Sequence, residues 1–324
     1  MKKLGMACVL QSILAMTAFS ATAWAQTYPS KPIRFIVGYT PGGAADILAR
    51  AVGARINEAW GQQVIVDNRP GAGGAIGTVL VAKAAPDGLT MVLAAPSHSV
   101  IALINTPPPY DPIKDFAPIT NMVNYPLLLV THPSVPVKNV RELVALAKAK
   151  PDQLSYASPG SGNSGHLAGE LFNSMAGVQT VHIPYKGQGP ALTDLLSGQV
   201  SMLYSSIPSV IQQVKSGQLR ALAVGSAKRL PSLPDIPTLA ESGVPGYEAY
   251  SWVGLVAPAH TPADIVKKIH RDVSEILKDK EVAEKLNQQG ALPVGDTPEE
   301  FGLYIKNEIA KWGKVVRDAN IKAD

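Results

Sequence analysis

Two short segments have the residue types and spacing of anion-binding turns: Tyr39-Thr40-Pro41-Gly42-Gly43 and Ser158-Pro159-Gly160-Ser161-Gly162-Asn163-Ser164-Gly165. Each stands between an apolar strand-like run and an amphipathic helical pattern, the place where α/β proteins bind ligands. Glycine lets main-chain N–H groups come close to a ligand, and the N-terminus of the following helix adds a partial positive charge. Such turns hold a carboxylate or phosphate without a cationic side chain. Neither segment contains Lys or Arg. Hydroxyls of Thr40, Ser158, Ser161 and Ser164 add donors. Asp46, in the first turn of the helix after Gly43, either complements the helix dipole, orients the preceding loop or accepts from a ligand. His166 is either a solvent-facing residue or a pocket donor. Tyr185 precedes a further glycine turn, Lys186-Gly187-Gln188-Gly189, and is placed to face the same cleft. Arg69 is the cation nearest a glycine-rich turn, and packing on its neighbours is its simpler role.

Other chemistries leave weaker traces. Gly160, Gly162 and Gly165 match G-x-G-x-x-G, but the strand ending at Ile183 lacks the acidic residue that would hold a ribose, which argues against a dinucleotide site. A secreted serine hydrolase would use Ser161 or Ser164 with His166 and Asp194. Ser164 departs from G-x-S-x-G because His166 stands two residues after it, and Ser161 has Pro159 two before it. The six histidines show no H-E-x-x-H or paired spacing, so no metal and no cofactor is expected.

The N-terminus reads as an export signal. Lys2 and Lys3 precede an apolar run from Leu4 to Phe19, and Ala23-Trp24-Ala25 then supplies an A-x-A pattern with cleavage expected after Ala25. The run is shorter than the roughly 20 apolar residues a membrane span needs. The single cysteine, Cys8, lies inside it, so the chain from Gln26 offers no disulfide, thiol nucleophile or zinc-cysteine site. A periplasmic protein is the expectation. With 324 residues, two domains or one two-lobed body is expected. Hydrophobic residues make up 46% and charged residues 17%, which excludes a disordered chain. The net charge of +4 includes Lys2 and Lys3, and no Lys/Arg cluster follows, so capture of nucleic acid or anionic lipid is excluded.

The elements that must position the turns follow an α/β grammar, which argues for mainly parallel sheets. Ile33 to Val37, Val64 to Val66 and Met91 to Ala94 read as strands separated by two helices. After a Pro-rich stretch from Thr106 to Pro118, a second set of strands is read at Leu127 to Val130, Leu154 to Ala157, Val181 to Ile183, Val200 to Tyr204 and Ala221 to Val224. Thr261-Pro262-Ala263-Asp264 and Thr297-Pro298-Glu299-Glu300 each read as an N-cap Thr, a Pro at the first helical position and an acid three residues after the cap. Ile119 to Val130 and Ser251 to Ala257 are candidates for crossing strands that join two lobes, with lobe 1 at 26–125 and 250–324 and lobe 2 at 126–249. Such connectivity suits a hinge.

Taken in order, several stretches give the chain a resemblance to the Bug receptors, periplasmic substrate-binding proteins of tripartite tricarboxylate transporters. They are Tyr39 to Gly43 through Asp46 and Arg50, Asp67-Asn68-Arg69-Pro70-Gly71-Ala72-Gly73-Gly74, Pro86-Asp87-Gly88, Tyr156-Ala157-Ser158 to His166, His182-Ile183-Pro184-Tyr185-Lys186-Gly187, Leu222-Ala223-Val224, Pro237-Thr238-Leu239 and Trp252-Val253-Gly254-Leu255. The resemblance covers essentially the whole chain. It implies a type II periplasmic-binding-protein (Venus flytrap) fold in which two lobes close on a small organic acid. It further implies no enzymatic activity, a monomer, and membrane permease subunits as partners. It places ligand contacts on the same two turns. The expected contacts are then Tyr39, Thr40, Pro41, Gly42, Gly43, Asp46 and Ser97 on one side, and Ser158, Ser161, Gly162, Asn163, Ser164, His166, Tyr185 and Ser205 on the other. At Tyr204-Ser205-Ser206, where such receptors often carry an aspartate, this chain has serines, which favours plain carboxylates over amine-bearing ligands. A receptor that reports to a signalling protein is the alternative within the same fold.

Overall fold

The computed structural model describes residues 28–288 and 290–322. The export signal and its cleavage site lie outside the described residues. Residues from Lys31 onward form one compact unit, and Tyr28–Ser30 belong to a separate N-terminal one.

The unit begins with strand β1 (Ile33–Val37), helix α1 (Ala44–Trp60), β2 (Val64–Asn68), α2 (Ala75–Ala82), β3 (Thr90–Ala94) and α3 (Pro96–Ile104). Helix α1 buries Ala45, Leu48, Ala49, Val52 and Ile56, a stripe at the helical period, and stops at Gly61, whose φ of 63° lets its N–H return to Asn57 O. Strands β2, β1 and β3 are parallel neighbours in that order.

The long β4 (Phe116–Thr131) follows, then α4 (Val140–Ala149), β5 (Ser155–Ser158), α5 (Ser164–Ala176), β6 (Val181–Pro184), α6 (Gln188–Leu196), β7 (Met202–Ser206), α7 (Ile207–Lys215) and β8 (Arg220–Val224). The chain closes with β9 (Tyr250–Pro258), α8 (Ala263–Lys278), α9 (Lys280–Gln288), β10 (Leu292–Pro293) and α10 (Pro298–Asp318). Strands β5, β6 and β7 are parallel. Every pair that involves β4 or β9 is antiparallel, so the expectation of mainly parallel sheets holds only within β1–β3 and within β5–β7.

Strand β4 is the structural link. Residues Phe116 to Pro126 pair with β9, which continues into the first sheet through β3, while Leu127 to Thr131 pair with β7 on one side and β8 on the other. Two register shifts, between Pro118 and Thr120 and between Asn121 and Val123, bend it along its β9 edge. Ile36, Val92, Trp252, Val256 and Phe301 lie in a core on the first sheet. Separate cores, one with Leu129, Tyr156, Phe172 and Tyr204 and one with Leu128, Ala157, Leu203 and Val224, cover the second.

The two Thr-Pro helix starts resolve differently. Thr297 forms a full capping box with Glu300 at the head of α10. Thr261 forms none. Its hydroxyl turns back to Pro258 O at 2.8 Å and closes the turn after β9, so α8 begins at Ala263 without a side-chain cap.

Candidate functional site

A cavity of about 110 Å³ opens where the two sheets meet. Its lining comes from Leu127 of β4, Ser251 and Val253 of β9, and the first residues of five helices. These are Gly43, Ala44 and Ala45 at α1, Ala95 and Pro96 at α3, Asn163, Ser164 and Gly165 at α5, Gly187 and Gln188 at α6, and Ser206 with Ser209 at α7. Tyr39, Thr40, Pro159, Tyr204 and Ser205 complete it. No lining residue carries a charge. At roughly 10–15 Å³ per water-sized group, the space holds on the order of seven to eleven of them, the size of a small organic acid.

Helix N-termini leave main-chain N–H groups unbonded within the helix and carry partial positive charge. Four of the five lack a side-chain cap: α1, α3, α6 and α7 begin at Gly43, Ala95, Gly187 and Ser206, none of which offers a side-chain acceptor to the first main-chain N–H groups of its helix. The fifth, α5, is capped. Asn163 Oδ1 accepts from Gly165 N–H at 2.7 Å and from His166 N–H at 3.2 Å. The second glycine turn satisfies most of its own donors. Gly160 N–H is taken by Ser158 Oγ, Gly162 N–H by His166 Nδ1, and Asn163 N–H by Gly160 O. That turn presents Asn163, Ser164 and Gly165 to the cavity as a shaped wall, whereas the first turn presents an uncapped helix.

The first turn is held from behind. Gly42, at a φ of 85° that favours glycine, gives its N–H to Asp46 Oδ2 at 2.9 Å. Asp46 is buried and also pairs with Arg50, through Oδ1 at 2.9 Å and Oδ2 at 3.1 Å. Burial pushes the Asp46 carboxyl up, but Arg50, the Gly42 amide and Asn68 outweigh it and leave its pKa below the ordinary carboxylate range. Asn68 Nδ2 donates to Tyr39 O at 3.0 Å, and the Tyr39 and Ser97 hydroxyls lie 2.6 Å apart. Burial raises the Tyr39 phenol, with the Ser97 bond opposing, so it stays protonated.

The sequence-derived candidates therefore separate. Tyr39, Thr40, Gly43, Asn163, Ser164 and Ser205 line the cavity. Pro41 and Gly42 are exposed on the first turn, and Asp46 stands behind it. Ser97 supports Tyr39. Ser158 is fully buried, with its Oγ 2.6 Å from His182 Nε2. Ser161, Gly162 and His166 are buried within the second turn and the start of α5. Tyr185 turns away from the lining and donates to Asp194 Oδ2 at 2.7 Å, so Asp194 serves a tyrosine rather than a catalytic histidine. Burial and Asp194 push that phenol up to about 12.

The arginines that flank the first turn are committed to carboxylates. Arg34 and Arg69 both pair with Asp67, and Arg50 pairs with Asp46. Sequence reasoning picked out Ser97 and the Lys186-Gly187-Gln188-Gly189 turn but did not count Ala95, Pro96, Gly187, Gln188, Ser206 or Ser209 among the expected contacts. Gln188 Nε2 donates to Ser205 Oγ at 2.9 Å, and the Ser206 and Ser209 hydroxyls lie 2.9 Å apart. No helix among the described residues is long and apolar enough to cross a membrane, and no cluster of metal-ligating side chains occurs among them.

A family model described as tripartite tricarboxylate transporter family receptor matches residues 48–321. The protein BugT of Bordetella pertussis is 38% identical over 316 residues, which are 97% of each chain. Among solved structures, Rpa4515 of R. palustris with adipate superposes with a TM-score of 0.87 at 38% identity, covering 91% of this chain and 99% of that one. MatC (Rpa3494) from Rhodopseudomonas palustris with bound malate gives 0.82 at 31% identity, covering 89% and 100%.

Proposed function

The chain belongs to the tripartite tricarboxylate transporter receptor family, and from that premise we propose that it captures a small dicarboxylate in the cavity at the sheet junction and delivers it to membrane permease subunits. The family consists of solute-binding receptors rather than enzymes. Its members are periplasmic, which agrees with an export signal cleaved after Ala25. The observation that carries the reading is the ring of five helix N-termini, four without a side-chain cap, around a lining with no charged residue.

Magnitudes support it. A partly buried helix N-terminus stabilises an anion by up to about 2 kcal/mol, so four contribute on the order of 8 kcal/mol gross. Hydrogen bonds from hydroxyls to a charged group add about 1.5–3 kcal/mol each. That sum is on the scale of a micromolar Kd, roughly 8 kcal/mol, before the entropy cost of association is subtracted. No arginine is needed. Related proteins solved with adipate and with malate hold ligands of this chemistry.

The same lining argues for plain carboxylates. An α-ammonium group in the cavity would find no carboxylate partner and would face positive helix ends. The proposed lobes are 26–125 with 250–324, and 126–249, hinged at β4 and β9, with closure shifting an open–closed equilibrium toward the liganded state. Thermal shift of ligand-stripped protein tests the reading. A bound dicarboxylate at 100 times its Kd raises stability by about 2.7 kcal/mol, which moves the melting temperature by several degrees. No shift with any dicarboxylate, tricarboxylate or hydroxy acid would contradict it.

A further inference from the structure

On β9, Ser251 and Val253 line the cavity, and strand alternation turns Trp252 to the opposite face. There Trp252 is fully buried, edge-on to Phe301 and Tyr304 of α10. Its Nε1 donates to Glu308 Oε2 at 3.0 Å, and the same oxygen accepts from Trp312 Nε1 at 2.8 Å. Glu308 is 7% exposed. Burying a carboxylate is costly unless its acceptors are used, and here two indole donors converge on one oxygen.

Trp312, 1% exposed, shares an apolar cluster with Val100 of α3 and Leu167 of α5, together with Val316 and Ile321. Val100 follows Pro96 by four residues, and Leu167 follows Ser164 by three, so each lies about one turn behind a helix start that lines the cavity. The second turn touches the same helix: a Cβ on Gly162 would stand 2.9 Å from Ile104 Cδ1 and 3.3 Å from Val100 Cγ1. Helices α3 and α5 follow strands of different sheets, and the cluster that holds Trp312 joins them through Val100 and Leu167, with Ile104 and Leu171 packed against it.

We propose that Trp312, held by Glu308, is a positioning residue for ligand capture that fixes the separation of the α3 and α5 N-termini and thereby the chain length of the dianion the cavity accepts. The inference rests on the carboxylate-receptor reading. Close-packed interiors transmit a change of side-chain volume rather than absorb it. A smaller residue at 312 lets the two walls settle closer together.

The test titrates wild type, Trp312→Leu, Trp312→Phe, Glu308→Gln and Glu308→Leu by calorimetry with the unbranched dicarboxylates from malonate to pimelate. A melting curve accompanies each protein. One methylene is worth roughly 10-fold or more in a shaped pocket. Trp312→Leu is therefore expected to shift the affinity ratio between the best-bound homologue and the next shorter one by about tenfold toward the shorter. Glu308→Gln keeps an acceptor for both indoles and the wild-type ratio, whereas Glu308→Leu moves the ratio as Trp312→Leu does. Uniform weakening at constant ratio would make Trp312 a core residue only and overturn the proposal. Unchanged affinities would do the same. If Trp312→Leu fails to fold, Trp312→Phe, with a smaller ring and no indole donor, carries the same comparison. A wild type that binds no member of the series sinks this inference, and it sinks the carboxylate reading as well where tricarboxylates and hydroxy acids also leave the melting temperature unmoved. A length-selective wild type whose variants keep its ratio sinks this inference alone.

Discussion

His166 and His182 stack face to face beneath the second glycine turn, their ring centroids 3.6 Å apart and their planes 10° from parallel. Each ring holds part of the turn. His166 Nδ1 accepts from Gly162 N–H at 3.1 Å, and His182 Nε2 lies 2.6 Å from Ser158 Oγ, which itself bonds to Gly160. Removing the His182 ring leaves a fully buried hydroxyl short of a partner. His182→Ala is expected to cost about 1–3 kcal/mol of stability and to weaken ligand binding through the turn. Urea unfolding combined with calorimetry checks both. Unchanged affinity in a destabilised variant would detach the stack from the site.

Acid should destabilise the protein through two imidazoles. Burial holds His98 and His182 down to about 4, with a bond to Pro112 O opposing at His98. In the unfolded chain each titrates near 6.5. Between these values the unfolded state binds protons that the native state does not. Stability is therefore full above about pH 6.5 and is lost as pH falls toward 4, at up to about 1.4 kcal/mol per pH unit for each ring. Urea midpoints between pH 7.5 and 5 measure the slope. His182→Gln should reduce it, and an unaltered slope would refute the assignment.

Asp46 acts through the turn in front of it. Asp46→Ala frees the Gly42 N–H and leaves Arg50 without its carboxylate, so affinity should fall at least tenfold. The stability cost is expected to be about 1–3 kcal/mol. Arg50→Ala, at an exposed side chain, should do less of each. Equal affinity in wild type and Asp46→Ala would show that the turn holds its shape unaided.

The two turns predict opposite signatures for the same small change. Gly43 has an ordinary φ of −77°, and a Cβ there meets only Thr40 O at 3.7 Å. Gly43→Ala should leave the melting temperature in place and lower affinity by crowding the uncapped start of α1. Gly162 sits at a φ of 74° against Ile104. Gly162→Ala should lose about 1–3 kcal/mol of stability as well as affinity. Identical behaviour in the two variants would contradict this division.

A carboxylate placed in the lining should reverse its charge preference. Ser206→Asp sets an anion among the helix ends, and dicarboxylate affinity should drop at least 100-fold. In wild type an α-amino dicarboxylic acid should bind much more weakly than the same acid without its amine. Calorimetry with matched pairs decides, and equal affinities would contradict the charge argument.

Much of this was legible in the residues, because a strand followed by a glycine turn and an apolar helical stripe has a strong local signature. The strands from β1 to β8 and both glycine turns were readable for that reason. What escaped was set by tertiary packing. Helix α3 follows β3 directly, and Pro96-Ser97-His98-Ser99 at its start is buried although three of the four are polar, so no apolar periodicity marks it. Of the roles open to Asp46, orienting the preceding loop matches its bond to Gly42 N–H, whereas His166, open to solvent or pocket in the sequence, bonds back to Gly162 N–H inside the turn. A side chain's direction is decided by neighbours far away in sequence, as Trp312 beside Val100 and Leu167 also shows.

The most direct test is a crystal structure of the protein with a saturating dicarboxylate. The account predicts carboxylate oxygens about 2.7–3.1 Å from main-chain N–H groups at Gly43 to Ala45 and at the starts of α6 or α7, with no Lys or Arg in contact. A ligand held chiefly by a guanidinium or ammonium group, or seated away from these helix ends, would contradict it.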